Sequence, residues 1–399
     1  MSLYPPFTGA FVYAILNREN IVEDESVFIE TSTLKKDNAL MAATIHDVAL
    51  EAAVGIGTVS RVINNSPRVK PATRERVLAA IDKLHYKPDP IARSMVSKRT
   101  NSLGVIVPFF TQPFFTEVLR GVEAVSARLG RELVLYNVET DAQRDHYFSE
   151  LPMLRKVDGL LIVSLTPDHS VSCRLKDSGL PVVLIDAYSP VFTSLVVNNV
   201  EGAYQAVRGL IEKGHRRIGF INGQIEGNFK FNKANDRLIG LHRAFGEAGL
   251  LFEPELVLTS EWSRMGGKQA ALQLLSQQKR PTAIFAASDM QAVGVLEAAK
   301  DLGIPVPEQL SVMGFDGIEV SELLELSTIQ QPMQEMGEVA VAALVELIDN
   351  STQTPELIRF DTKLVERRTT GPAPSNTWTT HAQTPQEMEA SRLSTPSSP

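Results

Sequence analysis

Thr44–Asn65 reads TIHDVALEAAVGIGTVSRVINN, and the rest of the chain takes its meaning from this stretch. Thr44 stands three residues before Asp47, a spacing that lets the two side chains close a capping box and open a helix. Val48, Ala49 and Ala52 then form a small apolar face. Ala53, Val54 and Gly55 interrupt the pattern, and Ile56 opens a second helix with Val59, Val62 and Ile63 on its inner side. The other side carries Gly57, Thr58, Ser60, Arg61 and Asn64, which are small or hydrogen-bonding. A helix-turn-helix needs this division, with one face for the partner helix and one for base edges and phosphates. Taken alone, the stretch is equally an ordinary helical hairpin, and the residues C-terminal to it separate the two readings.

A loop runs from Asn65 to Lys70, and Pro71 then starts a third helix at the position where its missing N–H costs nothing. Val77, Ala80, Ile81 and Leu84 give that helix an apolar stripe, and Arg68, Lys70, Arg74 and Arg76 fall outside it. Asp89-Pro90 announces one more helix, Ile91 to Val96, too short to hold together without partners. The chain as a whole is acidic, with a formal charge of −8. Residues 41–100 nevertheless carry ten Lys/Arg against five Asp/Glu, a local +5 that leaves −13 for the remainder. A basic segment on an acidic body suits a DNA-reading head on a core that DNA repels.

From Ser102 the texture changes. LGVIVP (103–108), LVLYNV (133–138), GLLIVS (159–164), PVVLID (181–186) and SLVVNN (194–199) are apolar runs of strand length separated by helical patterns. IGFING (218–223), ELVLTS (255–260), AIFAAS (282–287) and LSVMGFD (310–316) repeat the alternation. Strands buried on both faces and joined through helices form parallel sheets. This many predict an α/β core of two doubly wound lobes, resembling periplasmic binding proteins, with a ligand cleft at the strand ends between them. Asp186, Asp289 and Asp316 each close such a run at its carboxyl end, where they face a ligand or cap the following helix. Phe109, Phe110, Phe114 and Phe115 crowd the loop after the first strand and suit a pyranose or nucleobase face.

Composition narrows the class further. Cys173 is the only cysteine, which rules out an intramolecular disulfide and an all-cysteine zinc site. The apolar patch FTGAFVYAIL near the start has no basic residue before it and makes a poor secretion signal. A cytoplasmic location without a membrane span is expected. There is no G-x-S-x-G, no H-E-x-x-H and no G-x-G-x-x-G after a strand, and MGGKQ (265–269) fails as a P-loop. We therefore expect no catalytic residues, no cofactor and no bound metal. The segments read as an N-terminal extension (1–42), the helix-turn-helix domain (43–88), a hinge helix and linker (89–101), the two-lobed core (102–371) and a disordered tail (372–399). Met41 is the expected true start of translation.

The head motif T-I-x-D-V-A (Thr44–Ala49) with V-x-x-x-T-V-S-R-V-x-N (Val54–Asn64) resembles the lactose-repressor/galactose-repressor (LacI-GalR) family of bacterial transcription regulators. KGHRRIGFI (213–221), ASDMQAVGVLEAAKDLGIPVPEQLSVMGFD (287–316) and TIQQP (328–332) carry the likeness through the core. The resemblance implies a homodimer that binds palindromic double-stranded operator DNA as a repressor and answers to a small-molecule effector. It places Gly55, Ile56 and Gly57 at the start of the recognition helix and Thr58, Ser60, Arg61 and Asn64 on its DNA side. It assigns backbone contacts to His46, Arg68, Thr73 and Tyr86, and the hinge helix with its minor-groove wedge to Ala92 and Met95. It puts Asp186, Arg237, Asp289 and Asp316 around the effector, Trp262 against a sugar face and Gln331 at the cleft mouth. Three carboxylates and one arginine favour a neutral polyol, so a sugar is the expected effector. An extracytoplasmic sugar-binding protein, which shares the two-lobed core, is the alternative; it predicts a signal peptide and no helix-turn-helix. The chain also departs from the family pattern: Ala53 stands where glycine is usual, Gly55 where serine is, and Lys70 at a capping position.

Overall fold

The computed structural model describes residues 43–63, 66–86, 99–154, 156–224, 232–350 and 354–375. The chain divides between Asp89 and Pro90 into two compact units. The expected extension (1–42), the short hinge helix and residues 376–399 of the tail lie outside the described residues.

In the head, α1 (Ile45–Glu51), α2 (Ile56–Ile63) and α3 (Pro71–Lys83) close on a core of Val48, Ala49, Ala52, Val59, Val62, Val77 and Ala80. The capping box is formed: the Asp47 N–H donates to Thr44 Oγ1 at 3.4 Å, and the Asp47 carboxylate accepts from the Thr44 N–H at 2.8 Å. The Thr44 side-chain bond, then its backbone bond, hold the Asp47 carboxyl below its ordinary range. Ala53, in the turn, has φ 48°, a left-handed conformation that costs an L-residue about 1 kcal/mol or more. Lys70 precedes α3 in an extended conformation and makes no side-chain cap. Arg74 is not simply the outward cation its place in the sequence predicts, because its guanidinium donates to the Ser66 carbonyl at 2.6 Å and ties the preceding loop to α3.

The core holds two six-stranded sheets. The first contains β1 (Ser102–Pro108), β2 (Glu132–Val138), β3 (Gly159–Val163), β4 (Val182–Ile185), β5 (Thr193–Val197) and β11 (Leu357–Phe360), in the order β11-β5-β4-β3-β1-β2, all parallel. The second contains β6 (Ile218–Gly223), β7 (Val257–Ser260), β8 (Ala283–Ala286), β9 (Ser311–Asp316), β10 (Ser327–Gln330) and β12 (Lys363–Val365), in the order β12-β10-β9-β8-β6-β7. Only β12 runs antiparallel to its neighbour. The nine apolar runs of the sequence are all strands, and β1, β3, β4, β6, β8 and β9 are buried along their whole length.

The chain crosses between lobes three times: after β5, after β10, and between β11 and β12. The helix Asn199–Glu212 follows the first sheet yet packs against the second through Ala203, Ala206, Val207 and Leu210. The helix Met333–Asp349 follows the second sheet yet packs against the first through Met336, Ala340, Val341 and Leu344. Each lobe is therefore built from separated stretches of chain, and their strand ends face a shared cleft.

Candidate functional site

The face of α2 that turns away from the head core is open. Gly55, Gly57 and Arg61 are exposed, Ile56 is 40% exposed, and Thr58 and Ser60 are half-buried. A side chain built on Gly55 or Gly57 would meet nothing within 4 Å, so neither glycine is required by packing inside the head. His46 and Arg68 are exposed, and Thr73 is half-buried. Tyr86 lies half-buried against the head core, which leaves it a packing role as well as the expected backbone contact. Asn64, Ala92 and Met95 lie outside the described residues.

In the core, four non-glycine residues with positive φ stand at the carboxyl ends of strands: Phe109 (45°) after β1, Ser164 (52°) after β3, Asp186 (53°) after β4 and Asp316 (128°) at the end of β9. Strained backbone of this kind collects where side chains must be aimed at a ligand. A cavity of about 40 Å³ lies at Asp316, lined also by Gln112, Pro113, Phe114, Phe115, Lys233, Arg237, Trp262, Ser288, Met290 and Ile318.

Arg237 is 1% exposed. Its guanidinium donates to the side-chain oxygen of Asn199 at 3.0 Å and to the Ala287 carbonyl, lies 3.9 Å from the Asp316 carboxylate, and sits 3.6 Å from the ring centroid of Phe315. Burial pushes the Asp316 carboxyl up to about 7, against the pull of Arg237 and with the help of Asp289. Trp262 is held against the bare Cα of Gly223, where any Cβ would overlap the indole.

Lys233, on the helix Asn232–Glu247 of the second lobe, reaches across the cleft to the first. Its ammonium is 3.0 Å from Asp186 Oδ2, which also accepts from Ser164 Oγ at 2.5 Å. It lies 4.5 Å from the ring centroid of Phe114 and 5.6 Å from those of Phe115 and Trp262. Lys233 is not among the residues expected from the sequence. Its one signal there is its place one helical turn before Arg237, which puts both residues on one face.

Of the eight expected effector residues, Phe114, Arg237, Trp262 and Asp316 line the cavity, and Asp186 joins them through Lys233. Three are placed differently. Asp289 is fully buried; its Oδ2 accepts from the Gly317 and Ile318 N–H groups at 2.7 and 3.0 Å and its Oδ1 from Thr328 Oγ1 at 2.5 Å. It fixes the turn after β9 instead of facing the cleft, in space left by Gly314, where a Cβ would strike the carboxylate. Burial pushes its carboxyl up to about 6, against these hydrogen bonds. Ser288, not Asp289, caps the following helix. Gln331 is 3% exposed, donates to Asp316 Oδ1 at 2.7 Å, and lines a separate open hollow of about 580 Å³ with Glu117, Arg120, Glu319 and Glu322. It reaches the cleft only through Asp316. Phe109 turns its half-buried ring into the first lobe's core.

Among the described residues there is no group of three or more His, Cys, Asp or Glu side chains that could hold a metal, and no helix is long and apolar enough to cross a membrane.

Comparison with known proteins agrees with both units. Residues 44–89 match the family of bacterial regulatory proteins, lacI family, and residues 207–370 match a periplasmic binding protein-like domain. The HTH-type transcriptional repressor PurR of Yersinia enterocolitica is 36% identical over 338 residues, 83% of this chain and 98% of that protein. The Lac repressor dimer bound to operator and the anti-inducer ONPF superposes with a TM-score of 0.73 at 26% identity, over 83% of this chain and 100% of that one. A complex of the transcriptional regulator CelR with cellobiose superposes with a TM-score of 0.61 at 31% identity, over 82% and 99% of the two chains. A solute-binding protein would have the core without the head. With both present, and with a relative matched over nearly its whole length, the chain belongs to the lacI family of bacterial transcription regulators.

Proposed function

We propose that this protein is a dimeric repressor that reads a near-palindromic operator through α2 and releases or grips it according to a sugar-like small molecule bound between its lobes. It acts by binding and not by catalysis, in the cytoplasm where its DNA lies. The observation that carries this reading is the pairing, in one chain, of a helix whose outer face is left to Ile56, Gly57 and Arg61 with a cleft that offers aromatic walls and both signs of charge. Two heads related by a two-fold axis match two half-sites, which is why a palindrome is expected.

With the buried Asp289 set aside, both signs of charge still meet at the cleft. Asp186 and Asp316 can accept from hydroxyls, Arg237 can donate to them, and Trp262 and Phe114 can flank an apolar sugar face. Selection of bound DNA from a random pool, with and without a panel of sugars, tests the proposal. An inverted repeat should emerge, and at least one sugar should change its recovery. Affinity should also fall with salt at a log–log slope of about −0.9 per phosphate contacted. A pool that yields no inverted repeat would sink the reading.

A further inference from the structure

The cleft already presents Asp186 with an ammonium of the protein's own, that of Lys233. A cavity of about 40 Å³ admits little more than a water molecule, whereas small-molecule sites enclose roughly 300–1,000 Å³. Lys233 lines this space, its ammonium set against the Asp186 carboxylate and three aromatic rings. A carboxylate with aromatic faces around it is the environment that holds an aliphatic ammonium ion. From this we infer that the effector carries a protonated primary amine beside its hydroxyls, as an amino sugar does, and that it binds by taking the place of Lys233 at Asp186.

Charge accounting supports the exchange. The side chains of Lys233 and Asp186 are 12% and 6% exposed, so the pair is largely removed from water. To make room for any ligand, either the lobes part or Lys233 swings out, and both movements take the ammonium from Asp186. A neutral ligand would then offer the buried carboxylate hydroxyl donors, as Ser164 does, but no countercharge, and an uncompensated buried charge is costly. An incoming ammonium restores the pair and leaves the cleft's net charge unchanged. Arg237 does not substitute for Lys233, since hydrogen bonds to Asn199 and Ala287 hold its guanidinium beside Asp316 instead of Asp186. Lys233 is thus a specificity-determining residue, an internal competitor that a ligand must match in chemistry to displace.

The inference rests on the effector-controlled repressor reading, and the experiment separates the two. Calorimetric titration of the full-length protein compares glucosamine, galactosamine and mannosamine with glucose, galactose and mannose and with their N-acetylated forms, at a pH that keeps the amines protonated. At least one amino sugar should bind tenfold or more tightly than its parent and its acetylated form. Lys233→Met, which keeps the apolar stem and removes the competing charge, should tighten that binding, and Asp186→Asn should abolish the preference for the amine. If no amine outbinds its parent, or if Lys233→Met binds no more tightly than the wild type, the inference is overturned. Operator selection with the same preparation reports on the repressor reading independently, since it needs no ligand.

Discussion

Trp262 rests directly on Gly223, at the end of β6, with no room for a Cβ between them. The indole forms part of the cavity wall, so its position is set by an absent side chain. Gly223→Ala should push the ring toward the cavity. We expect at least a tenfold loss of effector affinity, followed through the tryptophan emission, with operator binding in the absence of effector unchanged. Unchanged effector affinity would mean that the ring has freedom the packing does not suggest.

Ala53 holds φ 48° in the turn between α1 and α2. Glycine adopts this conformation without the penalty that a Cβ brings. Ala53→Gly should therefore stabilise the head by about 1 kcal/mol. Slower hydrogen exchange at the amides of α1 and α2, with exchange in the core unaltered, is the expected signature.

Arg61 is exposed and is the one charged residue of α2. A bidentate contact to guanine is worth about 1–3 kcal/mol of discrimination. Arg61→Ala should flatten one guanine position in the selected operator, and Ile56→Ala should disturb the profile less. A uniform loss across all sequences, with a shallower salt dependence, would assign Arg61 to phosphate instead.

Asp316 has its carboxyl pushed up to about 7 by burial, so it gains charge as pH rises through neutrality. A hydroxyl donates more strongly to a carboxylate than to a neutral acid. For a neutral sugar, affinity should increase between about pH 6 and pH 8, and Asp316→Asn should weaken binding and remove that slope. Titrations at several pH values in one buffer series decide it.

His215 is fully buried between Thr282 Oγ1 at 2.9 Å and Ser311 Oγ at 3.0 Å, and burial pushes its imidazole below the ordinary 6.5. Below 6.5 the unfolded chain takes up a proton that the folded chain refuses. The stability His215 contributes is thus complete above that value and declines as pH falls from 6.5 toward the folded pKa. The melting temperature should drop over this window, and His215→Gln should reduce the drop.

Much of this architecture was legible because burial leaves a plain mark. Strands such as Gly159–Val163 and Val182–Ile185 are covered on both faces and are written as unbroken apolar runs. The edge strands Leu357–Phe360 and Lys363–Val365 are only partly buried, carry Arg359 and Lys363, and left no such mark. Asp289 shows a different limit. An aspartate at a strand end looks the same in sequence whether it meets a ligand or holds a turn, and only Gly314 beneath it distinguishes the cases. Lys233 sits among polar residues that show no period, so only its spacing from Arg237 pointed to the cleft.

The three crossings between lobes also bear on how the protein is made. Neither sheet is complete until β11 and β12 have left the ribosome, at residues 357–365. The head is contiguous and complete by Tyr86. At about 5–20 residues per second, the interval between the two is roughly 15–55 s. During each round of synthesis, the part that reads DNA exists before the part that takes instruction. A new molecule is thus blind to its signal until its final strands are in place.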